Sequence, residues 1–162
     1  MSTLILGVGD FGVSKTPGDV IKTLALGSCV AVVLLEPRTR SVGMVHVALP
    51  ESSIDRAKAL VKPGYFADTG FSALLEAMKL ISCIQNHKNF LVKMTGGAQV
   101  LDPNNTFNIG KRNELALKKI LWQHGMGVQA EDVGGHISRS IAVDVDTGRV
   151  VITSAGRGSW EI

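Results

Sequence analysis

Two almost entirely apolar segments, joined by one short polar turn, constrain the fold of this chain more than any other feature. Residues 29–35 read Cys-Val-Ala-Val-Val-Leu-Leu, and residues 42–49 are also mostly apolar. Strands of this composition are usually covered on both faces. Residues 36–40 between them contain a proline and three charged side chains, which is typical of a turn. The two segments therefore predict a buried antiparallel hairpin.

The remaining periodicity predicts strands toward both ends of the chain and two helices between them. Further strands are predicted at residues 4–6, 19–26, 90–94, 128–133, 138–145 and 149–154. Helical spacing predicts one helix capped by Asp68 or Thr69 and a second helix between Asn108 and Gly125. Residues 51–64 are expected to form a loop. This order favours an α+β fold with mostly antiparallel or mixed sheets packed against two main helices, in a single domain of residues 1–162.

Composition excludes several classes of protein. A chain of 162 residues with 45% apolar and 19% charged residues is neither disordered nor a coiled coil. Its apolar runs fall short of the ~20 residues of a membrane span, and its start lacks the basic segment of a signal peptide. A net charge of +3 without a basic stripe argues against nucleic-acid binding. The two cysteines fit a reducing cytoplasm.

Neither a dinucleotide nor a metal is expected. Residues 7–12 match the spacing G-x-G-x-x-G, but Pro17 and Gly18 follow where a helix would be needed to hold a pyrophosphate. A glycine-rich turn between strands is the better interpretation. His87, His124 and His136 are scattered without the spacing of metal ligands. The sequence therefore predicts no cofactor and no metal site.

The predicted hairpin brings a cysteine near a histidine. Cys29 follows a Gly-Ser turn, and a four-residue loop at 36–39 would place Leu35 opposite Arg40 and Cys29 opposite His46. Directly opposed residues share a face of the sheet. An imidazole beside a thiol can take its proton, and the resulting ion pair lowers the pKa of the thiol. This pair would attack an amide carbonyl.

Three further residues would complete such a site. Thr23 on the preceding strand is the nearest candidate for orienting the imidazole of His46. Backbone N–H groups near Ser28 and Cys29, exposed by the turn at Gly27, would hold an oxyanion. The structural alternative is that Cys29 packs as a small apolar residue and that His46 is a satisfied core histidine. Cys83 lies off the apolar stripe of its helix and is expected to be ordinary packing.

Several separate motifs resemble, in order, those of the CheD family, the chemoreceptor glutamine deamidases of bacterial and archaeal chemotaxis. They are Leu26-Gly27-Ser28-Cys29-Val30, Gly43-Met44-Val45-His46-Val47-Ala48-Leu49-Pro50, Tyr65-Phe66-Ala67-Asp68-Thr69, Gly96-Gly97-Ala98, Asn108-Ile109-Gly110-Lys111-Arg112-Asn113, and Glu131-Asp132-Val133-Gly134-Gly135 with Arg139. The resemblance implies a toxin-deamidase-like sandwich of sheets and helices. It also implies hydrolysis of receptor glutamine amides to glutamate with release of ammonia.

The same resemblance implies site residues and partners. Cysteine, histidine and threonine of the family site match Cys29, His46 and Thr23. The implied substrates are methyl-accepting chemotaxis receptors, and the implied partner is a CheC-like phosphatase. Two alternatives stay open: a non-catalytic chemotaxis adaptor that binds CheC or receptors, and a cysteine hydrolase of another amide or ester.

Overall fold

Ten strands form two five-stranded sheets in the computed structural model, which describes residues 1–100 and 107–162. The outer sheet has the order β1 (Thr3–Leu6), β3 (Val20–Leu26), β8 (Arg139–Asp144), β9 (Val150–Ser154) and β10 (Gly158–Glu161). The inner sheet has the order β2 (Phe11–Ser14), β5 (Ser41–Val47), β4 (Val30–Glu36), β6 (Leu91–Gly96) and β7 (Ala130–Val133). Most neighbours pair antiparallel, while β1–β3 and β6–β7 are parallel. The predicted α+β fold with mixed sheets is confirmed.

Three helices accompany the sheets in the described residues: α1 (Arg56–Val61), α2 (Ala67–Ser82) and α3 (Ile109–Gln123). The two long helices, α2 and α3, pack on one face of the inner sheet, where Phe71, Leu74 and Leu117 bury their side chains. None of the helices among these residues has the length and apolar character needed to cross a bilayer. The layers therefore run from outer sheet to inner sheet to helices.

The inner sheet lies between two apolar cores, which explains the composition of its central hairpin. Every residue of β4 and of β5 is buried. Alternate residues of β4 face opposite cores: Val30 and Val32 pack toward the helices, while Ala31 and Val33 pack toward the outer sheet. Two covered faces remove the usual alternation of polar and apolar residues. The predicted buried hairpin is thus confirmed.

The predicted register of that hairpin is wrong by two residues. Leu35 pairs with Val42 rather than Arg40, so His46 lies opposite Ala31 and Cys29 lies just before β4. The reason lies in the turn, where the Glu36 carboxylate accepts the N–H groups of Arg38 and Thr39. These bonds keep Glu36 in the ladder and leave residues 37–40 as the loop. A shift of two residues preserves which side chains share a face.

The structure also corrects the predicted loop at residues 51–64. That segment contains α1 and two short 3-10 turns, because Asp55 accepts the N–H of Lys58 and so caps the first turn of α1. The predicted cap of the long helix is wrong as well, since Phe66 is the N-cap residue of α2 and has no side-chain cap bond. Asp68 instead accepts hydrogen bonds from Ser52. The start of α3 after Asn108 and its end before Gly125 are as predicted.

One strand glycine sets the distance between α2 and the inner sheet. A Cβ on Gly43 of β5 would lie 2.7 Å from Cδ1 of Leu74 and 3.0 Å from Sδ of Met78. The helix therefore packs directly on the backbone of β5. This close packing fixes the strand that carries His46.

Candidate active site

A threonine and a histidine from different sheets meet in the core between them. Thr23 Oγ1 of β3 lies 2.7 Å from Nδ1 of His46 on β5, and both side chains are almost fully buried. The same hydroxyl donates to the carbonyl oxygen of Leu6 at 2.7 Å. The backbone of His46 is also fixed, because its N–H donates to Asp10 O and its carbonyl accepts the N–H of Gly9. The loop between β1 and β2 thus holds the strand at this point.

The two bonds of Thr23 decide which nitrogen of His46 carries the proton. A hydroxyl has one proton, and the carbonyl oxygen of Leu6 can only accept it. The Thr23 oxygen must then accept a proton from Nδ1 of His46 for both bonds to form. The neutral ring is left with a free lone pair on Nε2, which is buried without a hydrogen-bond partner among the described residues. That nitrogen can act as a proton acceptor.

Cys29 lies on the same side of the inner sheet as His46. It packs, partly buried, against the core between the sheets, as do Ala31 of β4 and Met44 of β5. Extending the observed register places Cys29 opposite Ala48, and therefore diagonal to His46. Diagonal neighbours have Cα atoms about 7–8 Å apart, which long or aromatic side chains can bridge. The structure therefore brings Thr23 and His46 into contact. Cys29 lies on the same side of the sheet, and among the described residues no hydrogen bond joins its sulfur to His46.

Burial favours the neutral forms of both side chains. It raises the pKa of the Cys29 thiol, an effect opposed only by the residue's own backbone N–H. It lowers the pKa of His46 to about 4, with the negative charge of Asp10 acting in the opposite direction. The expected lowering of the thiol pKa by an ion pair is therefore wrong for the free protein. At neutral pH the resting pair is a thiol and a neutral imidazole.

The loop that precedes β4 is held from the side of β6. Gly97 donates its N–H to the carbonyl of Cys29, and Ala98 donates to the carbonyl of Gly27, both at 2.8 Å. A Cβ on Gly96 would lie 2.2 Å from the Cys29 oxygen, so this close approach requires glycine. In the described part of the chain, the N–H groups of Ser28 and Cys29 donate to no other residue.

Asn113 on α3 is a site neighbour to which the residue patterns assigned no role. Its side chain is fully buried, and Nδ2 donates to the carbonyls of Ser28 at 3.0 Å and Ala48 at 2.9 Å. One amide thus connects the loop of Cys29 to the end of the strand that carries His46. A polar residue on the inward face of a predicted amphipathic helix was the available signal. Its own Oδ1 has no partner within the described residues.

A cavity of about 390 Å³ opens beside this loop. Its walls include Gly27 and Ser28, together with Ala98, Ile109 and Ser138. Neither Cys29 nor His46 lines it, so the cavity adjoins the candidate site without containing its reactive atoms. Within residues 1–100 and 107–162, no group of three or more histidine, cysteine or acidic side chains could hold a metal ion.

Cys83 differs from the expected packing residue. It is the C-cap of α2, it is exposed, and its backbone has a left-handed φ of 59°. Its sulfur lies 3.8 Å from the carbonyl of Leu80. The chain therefore contains one partly buried cysteine, which packs against the core between the sheets, and one exposed cysteine at the end of α2. The second serves as a natural control for experiments on the first.

Replacing Asn113 with alanine should destabilise the fold by about 2 kcal/mol, because two carbonyls of the site lose their donor. Urea unfolding measures this free energy. Asn89→Ala removes an exposed asparagine and should change stability by less than about 0.5 kcal/mol. Equal stability of the two variants would contradict the bridging role of Asn113.

Because His46 is buried, the free energy of unfolding should decrease as pH is lowered from about 6.5 toward 4. Its pKa is about 6.5 in the unfolded chain and about 4 in the folded one. Because the unfolded chain binds the extra proton, this contribution is complete above pH 6.5 and is lost as pH falls toward 4. The free energy of unfolding should drop by about 2 kcal/mol more in the wild type than in His46→Asn between pH 7 and pH 4.5. His136→Asn, at an exposed histidine, should retain the wild-type slope, and a wild-type slope in His46→Asn would refute the assignment.

Comparisons with known proteins agree on one family. The family model described as CheD chemotactic sensory transduction matches residues 48–154. A "Probable chemoreceptor glutamine deamidase CheD" of Syntrophotalea carbinolica is 56% identical over 162 residues, covering 100% of both chains. The "Chemoreceptor glutamine deamidase CheD" of Thermotoga maritima is 38% identical over 154 residues, covering 95% of this chain and 93% of its own. The chain belongs to the CheD family.

Proposed function

We propose that this chain is a protein-glutamine glutaminase that hydrolyses glutamine side-chain amides of chemotaxis receptors, with Cys29 as nucleophile. The observation that carries the proposal is the state of His46. Its Nδ1–H is directed at Thr23, and its free Nε2 is buried on the face that Cys29 shares. A buried acceptor without a partner costs stability. An Nε2 that takes a proton from a neighbouring thiol during the reaction must be left without a partner in the resting protein, which would account for this cost.

The first half of the reaction forms a thioester. Nε2 of His46 takes the proton of the Cys29 thiol as Sγ attacks the carbon of the glutamine carboxamide. The carbonyl oxygen becomes an oxyanion, which accepts hydrogen bonds from the N–H groups of Ser28 and Cys29, with Gly27 forming the turn. The tetrahedral intermediate then collapses. The imidazolium donates its proton to the departing nitrogen, the C–N bond breaks, and ammonia leaves.

The second half returns the enzyme to its starting state. His46 takes a proton from water, the hydroxide attacks the thioester carbon, and the C–S bond breaks. The imidazolium returns the proton to the sulfur, so the thiol and the neutral imidazole are restored. Both groups are neutral before the first half of the reaction and again after the second half. The product is a glutamate, which adds one negative charge to the receptor at neutral pH.

Membership of the family supports the proposed substrate and partners. Both compared relatives are named as chemoreceptor glutamine deamidases, which supports methyl-accepting chemotaxis receptors as the substrate of this chain. We infer a role in adaptation, because the new charge shifts the balance between receptor states. The family resemblance supports a CheC-like phosphatase as regulator and a cytoplasmic location. The proposed catalytic unit is the single domain of residues 1–162.

Release of ammonia from a receptor cytoplasmic fragment tests the proposal. Cys29→Ala should lower the rate by at least 10³-fold, because the nucleophile is removed. Cys83→Ala should keep the wild-type rate, since that thiol lies on the helical layer. Mass spectrometry should show a gain of about 1 Da at glutamine only with active enzyme. Undiminished release by Cys29→Ala would disprove the assignment, while receptor binding by the wild type without turnover would favour the adaptor function.

Thr23 should act through the orientation of His46. Thr23→Val keeps the volume and removes the hydroxyl, so Nδ1 loses its acceptor and the ring can adopt the other tautomer. We expect kcat to fall by about 10–100-fold with KM little changed, and Thr23→Ser to restore most of kcat. Steady-state ammonia assays at one pH provide both constants. A rise in KM alone, or an unrestored Thr23→Ser, would argue against the orienting role.

A further inference from the structure

The solvent face of α3 carries an unusual combination of side chains. Trp122 is 79% exposed and Leu115 is 53% exposed, although both are large and apolar. Arg112 and Lys119 share their face, because the four residues recur at intervals of three or four along the helix. The stripe spans the eleven residues from Arg112 to Trp122, or about 15 Å of helix. A single exposed apolar residue is ordinary, whereas a group of them around one concave surface marks an interaction site.

The stripe borders a groove rather than a flat surface. The segment after β5 forms the opposite wall, where Ile54 is 58% exposed and Pro50 and Glu51 line the cleft. The groove has a volume of about 560 Å³, with Leu115 and Ala116 at its α3 wall. Trp122 lies on α3 about one helical turn beyond Lys119, the last residue of the helix that lines the groove. A concave groove is complementary in shape to a convex element of a partner, such as a helix.

The charges of α3 divide into paired and unpaired groups. Lys111 and Lys118 form ion pairs with the buried Glu114, and Lys118 also reaches Glu131. Arg112 and Lys119 have no carboxylate within ion-pair distance among the described residues. On the opposite wall, the Glu51 carboxylate accepts a hydrogen bond from the hydroxyl of Ser53, which carries no charge to offset it. Two cations without a carboxylate partner among the described residues and one carboxylate therefore line the groove, which leaves it an excess of positive charge.

We propose that this groove is a docking site for an acidic amphipathic helix of a partner protein. Apolar side chains at i, i+3 and i+7 of such a helix would cover Leu115, Ile54 and Trp122. Carboxylates on the flanks would pair with Arg112 and Lys119, which selects an acidic partner over a neutral one. A membrane fits less well, since the surface is concave and has fewer free cations than the 4–8 of a lipid-binding basic cluster.

The docking site is separate from the cavity beside Cys29 but shares a helix with it. Asn113, next to Arg112 in the chain, points to the buried side of α3 and holds Ser28 and Ala48. Pro50 of the groove follows Ala48 by two residues. The occupant of the groove thus contacts the outer side of the elements that build the site. It would not cover the site itself.

Trp122 reports binding directly. In Trp160→Phe protein the only tryptophan is Trp122, and burial of its ring shifts the emission to shorter wavelength. The probe is an 18-residue helical peptide with leucine at i, i+3, i+4 and i+7 and glutamate on the flanks; the control peptide has lysine in place of glutamate. We expect a saturable blue shift with the glutamate peptide and at least tenfold weaker binding of the lysine peptide. Calorimetry on the unsubstituted protein repeats the measurement without relying on the Trp160 variant.

Charge reversal locates the interaction. Arg112→Glu/Lys119→Glu should weaken binding of the glutamate peptide at least tenfold, whereas the matched Lys15→Glu/Arg157→Glu change, at exposed cations elsewhere, should alter it less than threefold. Equal effects of the two double variants would overturn the proposal. So would equal affinity for the two peptides. A blue shift produced by phosphatidylserine vesicles or by raised protein concentration, but by neither peptide, would assign the face to a membrane or to a second copy of the chain.

Discussion

The hydrogen bond between Thr23 and His46 is the interaction on which the site depends. It joins β3 of the outer sheet to β5 of the inner sheet inside their shared core. Because the Thr23 hydroxyl also donates to Leu6, the bond fixes a tautomer as well as a position. The packing of α2 on Gly43 and the clamp of the β1–β2 loop on His46 both hold the same strand. The other ring nitrogen of His46 has no hydrogen-bond partner in the described part of the chain, on the side of the sheet where Cys29 packs.

Burial has opposite consequences for stability and for chemistry at this site. It lowers the pKa of His46 and raises that of Cys29, so charge is avoided in the free protein. A neutral thiol is a weak nucleophile toward solvent electrophiles. In the proposed reaction, the thiol loses its proton as its sulfur attacks the bound carboxamide, and the N–H groups of Ser28 and Cys29 would stabilise the oxyanion that develops. Cys29 would therefore react slowly with other electrophiles until a substrate is bound. The exposed Cys83 is not protected by burial in this way.

The sequence predicts the sheet-forming segments well because their signals are local. The apolar runs of β4 and β5, with the polar turn between them, specify strands and a hairpin without reference to distant residues. The register of β4 and β5 was predicted wrongly because it depends on Glu36 binding the backbone of its own turn. The α1 segment was missed because it is six residues long with exposed Leu60 and Val61, and shows no periodic core face. The role of Asn113 requires contacts to residues 85 and 65 positions away, which no local pattern reveals.

The close approach of Gly96 to the Cys29 carbonyl has a consequence for recognising distant relatives. At that position φ is 108°, and any side chain would collide with the backbone of the loop that carries Cys29. A relative with the same backbone must have a glycine at this position, even where the rest of its sequence differs. The matched family region begins at residue 48 and therefore leaves out Cys29. In a distant relative recognised only by that region, the glycine that corresponds to Gly96 indicates which upstream loop packs against it, and hence where to look for the cysteine.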